Sequence, residues 1–120
     1  MPTIPPFMLK QLYVKGSLHN TESGFAFTLR NHLAPASLVG LGLAVDDAPV
    51  PGGALTVVMN DARTPAVAIT AATPALFPTN TPTHVEVTGA PLPPGPHKIA
   101  LLATTREIGP VTIEVSDTVA

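Results

Sequence analysis

Fifteen prolines are spread along the 120 residues, and that spacing restricts the fold more than any other feature. Proline lacks a backbone N–H and its ring collides with the preceding helical turn, so few stretches remain for a helix of ordinary length. The segments between prolines instead carry the period of two that marks half-buried strands. Over residues 10–20, Leu12, Val14 and Leu18 alternate with Tyr13, Lys15 and Ser17; over 24–31, Phe25, Phe27 and Leu29 alternate with Ala26, Thr28 and Arg30. The Asn-Thr-Glu-Ser-Gly between them is turn-forming, which predicts a β-hairpin.

The same reading continues along the chain. After Pro35, the run SLVGLGLAVDD places Val39, Leu41, Leu43 and Val45 on one face and Gly40 and Gly42 on the other, and Asp46-Asp47 closes it as a turn. ALTVVMN (54–60) predicts a strand ending in the turn-like Asn60-Asp61-Ala62-Arg63, and AVAIT (66–70) a further one. Residues 71–82 read as a loop with Phe77 tucked beneath it. Three strands follow, in THVEVTG, PLPPGPHKIALLATT and PVTIEVSD. In the last, Val111, Ile113 and Val115 face one way and Thr112, Glu114 and Ser116 the other.

Seven or eight short strands with proline- and glycine-rich turns predict an all-β fold, an antiparallel sandwich of immunoglobulin-like arrangement. A chain of this length supports one core. The expected organisation is a proline-rich arm over 1–9, with three prolines in its first six positions, followed by a single domain over 10–120.

Composition narrows the function classes. Charged residues make up only 12% of the chain, about half the usual share, so a partner is expected to cover part of the surface. The net charge is −2 and the six basic residues are scattered, which offers no footprint for a phosphate backbone and argues against nucleic acid. There is no cysteine, hence no disulfide framework, thiolate metal site or thiol nucleophile, and a reducing cytoplasm is the expected location. The opening MPTIPPFMLK lacks the charge and the apolar run of a signal peptide, and no stretch has the length of a membrane span.

Catalytic signatures are weak. His19, His32, His84 and His97 follow no metal-ligand spacing, and the serines lack a nucleophile elbow. The expectation is therefore no catalytic residue, no metal site and no cofactor in this chain. His97, which follows Pro94-Gly95-Pro96, is read either as a ligand contact or, in the preferred reading, as tying the turn to its own strand, as a corner tyrosine does in related sandwiches. Asp46 and Asp47 point to opposite sides of an extended chain and suit a turn better than an acid–base pair. Arg106-Glu107 is the only adjacent pair of opposite charge and sits between the last two strands, where it would help orient a partner.

The strand over 97–105 is apolar on both faces, with Ile99, Leu101 and Ala103 on one and Ala100 and Leu102 on the other. One face meets the core and the second is expected to meet another subunit or the loop 71–82, with Leu102, Val58 and Tyr13 as contact residues beside Arg106 and Glu107.

Gly24-Phe25-Ala26-Phe27, the strand closing on Val45-Asp46-Asp47, and PLPPGPHKI at 91–99 together resemble the small β-subunits of bacterial C-glycoside deglycosidases, over about residues 10–117. The resemblance implies a β-sandwich that assembles with a larger barrel-type subunit. It further implies that this partner carries the divalent metal and the catalytic groups of a carbon–carbon lyase, and it transfers no catalytic residue to this chain. A homo-oligomeric binding sandwich is the alternative. A stand-alone enzyme using His97, Arg106 and Glu107 is the third reading, and it is disfavoured because these residues fall at opposite ends of a strand.

Overall fold

The computed structural model describes residues 6–119. Its elements are the helical turn α1 (Pro6–Lys10) and ten strands: β1 (His19–Thr21), β2 (Gly24–Arg30), β3 (Ala36–Val45), β4 (Ala48–Pro49), β5 (Leu55–Met59), β6 (Ala62–Pro65), β7 (Ala75–Phe77), β8 (Pro82–Thr88), β9 (Gly95–Thr105) and β10 (Gly109–Val119). One sheet has the order β1-β2-β8-β5-β6; the other runs β10-β9-β3-β4, with β7 also pairing β3. All these pairings are antiparallel. Strands 1, 2, 8 and 5 facing 10, 9 and 3 reproduce the two-sheet order of an immunoglobulin domain, as the strand pattern predicts.

The core forms where the inward rows of the two sheets meet. Phe27, Val85 and Val57 lie side by side across the first sheet, and Leu43, Leu101 and Ile113 across the second. All six are buried, as the period-two reading of β2, β9 and β10 requires. The hairpin turn between β1 and β2 contains only Glu22 and Ser23. At Gly24 a Cβ would stand 1.9 Å from the Val87 carbonyl oxygen, so the two backbones approach too closely for any side chain.

Several expectations are corrected. Residues 10–18 are not a strand: Leu12 N–H donates to Leu9 O and Tyr13 N–H to Lys10 O, and Leu9, Leu12 and Tyr13 are all buried. Their i, i+3, i+4 spacing is helical, and it outweighs the apparent alternation. The hairpin survives as the short β1 paired with β2, while Tyr13 makes a single bridge to Leu29. Because Leu9 belongs to the core, the folded unit begins before residue 10; residues 1–5 of the proline-rich arm lie outside the described residues.

In β3 a bulge between Leu38 and Gly40 shifts the register, so Leu38 rather than Val39 is buried with Leu43 and Val45. Residues 66–68 form a 3₁₀ turn rather than a strand. Pro65 cannot donate to a ladder, and Ala66 and Ile69, three apart, both turn inward. Ala62 and Arg63 belong to β6, across the tight Asn60-Asp61 turn from β5. Residues 71–82 are mostly loop, but Ala75–Phe77 adds a short strand to β3 and Phe77 is buried beneath it.

Candidate functional site

His97 opens β9 and is 7% exposed. Its Nε2 donates to the Pro93 carbonyl at 2.7 Å and its Nδ1 to Asp46 Oδ2 at 2.6 Å. Both partners are acceptors, and only the doubly protonated imidazolium donates to both at once. The Asp46 hydrogen bond, and then the Pro93 carbonyl, favour that charged form and raise the His97 pKa above its ordinary value. The same contact, with the Lys98 N–H at 2.8 Å, lowers that of Asp46. The bond to a carbonyl four residues upstream is the geometry of a corner tyrosine, here made by a histidine.

Asp46 contributes more than its turn position announced. Asp46 and Asp47 have positive φ of 52° and 68°, forming a two-residue hairpin turn between β3 and β4. That turn aims Asp46 at the start of β9, while Asp47 meets Lys98 Nζ at 3.0 Å. The turn, the 89–94 loop and β9 are thus bound to one another.

A second cluster was not read from the sequence. Asp117 lies cross-strand from His97 and is also buried. Its Oδ2 accepts from the Tyr13 hydroxyl at 2.7 Å, Gly16 N–H at 3.0 Å and Leu18 N–H at 3.2 Å; its Oδ1 accepts from Thr118 N–H at 2.8 Å. Burial opposes the charge, but these donors outweigh it and hold the carboxyl below its usual range. Burial and the Asp117 bond push the Tyr13 hydroxyl up. Tyr13 is therefore an internal tether rather than a contact residue. The signal was available: Asp117 shares the parity of Val111, Ile113 and Val115 on β10.

The remaining predicted residues separate. Leu102 is 47% exposed on the outer face of the second sheet and is not covered by the 71–82 loop. It stands in a row between Gly42 and Thr112, flanked by the rows Ala44–Ala100–Glu114 and Gly40–Thr104–Pro110. A Cβ on Gly42 would meet nothing within 4 Å, so this face is low and open around Leu102. Its charges include Lys98 and Glu114, 4.0 Å apart, with Asp47 paired to the same ammonium. Val58 lies on the outer face of the other sheet, between Arg63 and His84 in register, with the Arg63–Glu86 ion pair beside it. Two sheets facing each other through a core point their outer residues in opposite directions, so Val58 and Leu102 cannot share one contact surface.

Arg106 and Glu107 do not pair with each other. Arg106 donates to Ala71 O at 2.9 Å, and Glu107 Oε1 accepts from Ser37 N–H at 2.8 Å, which lowers its pKa. They lie roughly 30 Å along β9 from His97, nine residues at about 3.3 Å each. The three residues of the stand-alone-enzyme reading are therefore not assembled. Among the described residues, no three His, Asp or Glu side chains converge as a metal site, and no helix is long and apolar enough to cross a membrane.

The fold and its polar contacts define an immunoglobulin-like β-sandwich whose buried ionisable groups hold loops to strands. Residues 8–120 match the family model of the hydroxymethylglutaryl-CoA reductase N-terminal domain, and the chain belongs to that family. No curated protein matches it.

Proposed function

We propose that the chain is a non-catalytic accessory unit that docks onto a larger catalytic partner through the outer face of β10, β9 and β3. The observation that carries this reading is Leu102, about half exposed on a sheet face whose neighbouring positions are Gly40, Gly42, Ala44, Ala100, Thr104 and Thr112, with Pro110, Lys98 and Glu114 around them. A flat face with few charges loses little polar hydration when covered. His97, Asp46, Asp117 and Tyr13 are engaged in internal hydrogen bonds, which suits a scaffold.

Two catalytic bodies are the partners to test. The family's description is of a domain of a reductase acting on hydroxymethylglutaryl-CoA, and the sequence resemblance is to the small subunit of a lyase acting on C-glycosides. In either case the partner would supply the reaction groups, including any divalent metal. The cysteine-free composition fits assembly in a reducing cytoplasm.

Co-expression with each catalytic body, followed by size-exclusion chromatography with light scattering, tests the proposal. A stoichiometric complex that Leu102→Asp abolishes, with the circular dichroism of the variant unchanged, is expected. Neither body binding, or a complex indifferent to Leu102→Asp, would overturn it. The chain run alone separates the second reading, which the same open face also favours: a defined oligomer that Leu102→Asp converts to a folded monomer identifies self-association.

A further inference from the structure

Independently of the docking face, a partly open cavity of about 140 Å³ lies against the second sheet, lined by α1, the 31–35 loop, Phe77, the 107–108 turn and residues of β3, β9 and β10. Its apolar lining includes Leu9, Leu12, Leu33, Phe77, Val111 and Ile113. The polar groups at its border already have partners. Asn31 Nδ2 donates to the Ala34 and Phe77 carbonyls and its Oδ1 accepts from Leu33 N–H; the Thr105 hydroxyl donates to Gly109 O; Glu107 accepts from Ser37 N–H.

A ligand entering this space therefore finds a mainly apolar surface, with no side-chain donor left over among Asn31 and Thr105 to compensate an anion. Glu107 at the border, held ionised by its hydrogen bond to Ser37 N–H, further repels an anion. The volume is close to the roughly 150 Å³ of an apolar protein cavity that takes up benzene. We propose that this cavity is a binding site for one small, neutral, apolar molecule of about the size of a single aromatic ring, and that it discriminates against the corresponding carboxylate.

The test is methyl ¹H–¹³C NMR titration of the full chain with benzene, benzyl alcohol and benzoate as probes. Benzene and benzyl alcohol should produce saturable shifts at the methyls of Leu38, Val111 and Ile113, with benzoate at least tenfold weaker. Ala103→Leu, which fills the cavity from β9, should reduce benzene affinity at least tenfold; Ala36→Leu, which fills it from β3, provides the same readout if the first variant does not fold. Absent or non-saturating shifts would show a packing void only. Benzoate binding as well as benzene, or undiminished affinity in a folded filled variant, would equally overturn the assignment.

Discussion

Replacing Thr83 by valine should make the protein more stable, although it deletes a polar group and adds no contact area to speak of. Thr83 is 1% exposed on the inward side of β8, among Leu29, Leu38, Val57 and Val85, and its hydroxyl has no hydrogen-bond partner among the described residues. The adjoining void is about 20 Å³, and its wall is otherwise apolar, so a water there would lack the two or more partners it needs. A hydroxyl buried without a partner costs about 1–3 kcal/mol in proteins. Valine has the same branched shape and the same preference for strands, so neither a cavity nor a rotamer change offsets the gain.

The expected stabilisation is about 1–2 kcal/mol, discounted for residual burial in the unfolded chain. An unfolding entropy near 0.25 kcal/mol/K for a chain of this length converts that to a rise in Tm of about 4–8 °C. Urea denaturation and differential scanning calorimetry read the two quantities separately, and the urea m-value should not change. Equal or lower stability in Thr83→Val would refute the reasoning, because it would mean that the hydroxyl has a partner or that the site is hydrated.

Asp117→Asn should lower stability by about 2–4 kcal/mol, since whichever way the amide turns its NH₂ faces at least one of the donors that the two carboxylate oxygens accept, and the charge that strengthens the other bonds is lost. The folded Asp117 pKa lies below its unfolded value, so the contribution is complete above about pH 4 and is lost as pH falls through the folded pKa. Acid titration of the two proteins should therefore converge, and a difference that persists unchanged in acid would count against the assignment. For His97 the sign is reversed. Its raised pKa gives a contribution complete below about pH 6.5 and lost as pH rises through the folded value, so the Tm advantage of wild type over His97→Gln should be largest near pH 5–6 and shrink in base. An imidazole that titrates at or below 6.5 by NMR would remove the basis for this expectation.

How much of the molecule was legible follows from the range of the interactions concerned. Period-two alternation in β2, β9 and β10 reported which side chains are inward, because a strand's own geometry sends neighbours to opposite faces. Proline spacing excluded long helices, and Pro94-Gly95-Pro96 ahead of His97 announced a corner. Where the local signal was double, it misled. Leu9, Leu12 and Tyr13 fit a helical turn as well as Leu12, Val14 and Leu18 fit a strand, and burial of all three of the former decided between them. The bulge at Val39 leaves no mark in sequence, since it is set by the partner strand β9.

By itself the sequence determined the all-β class, the single core and most inward-facing residues, because these rest on hydrophobic periodicity and on proline's missing donor, both properties of a few consecutive residues. Only the tertiary structure decided that Asp46 meets His97 across 51 positions and Asp117 meets Tyr13 across 104. It alone placed Leu102 and Val58 on opposite outer faces. Such pairings depend on which sheet each strand joins, and that choice is made by packing two faces against each other, a requirement that no single segment carries.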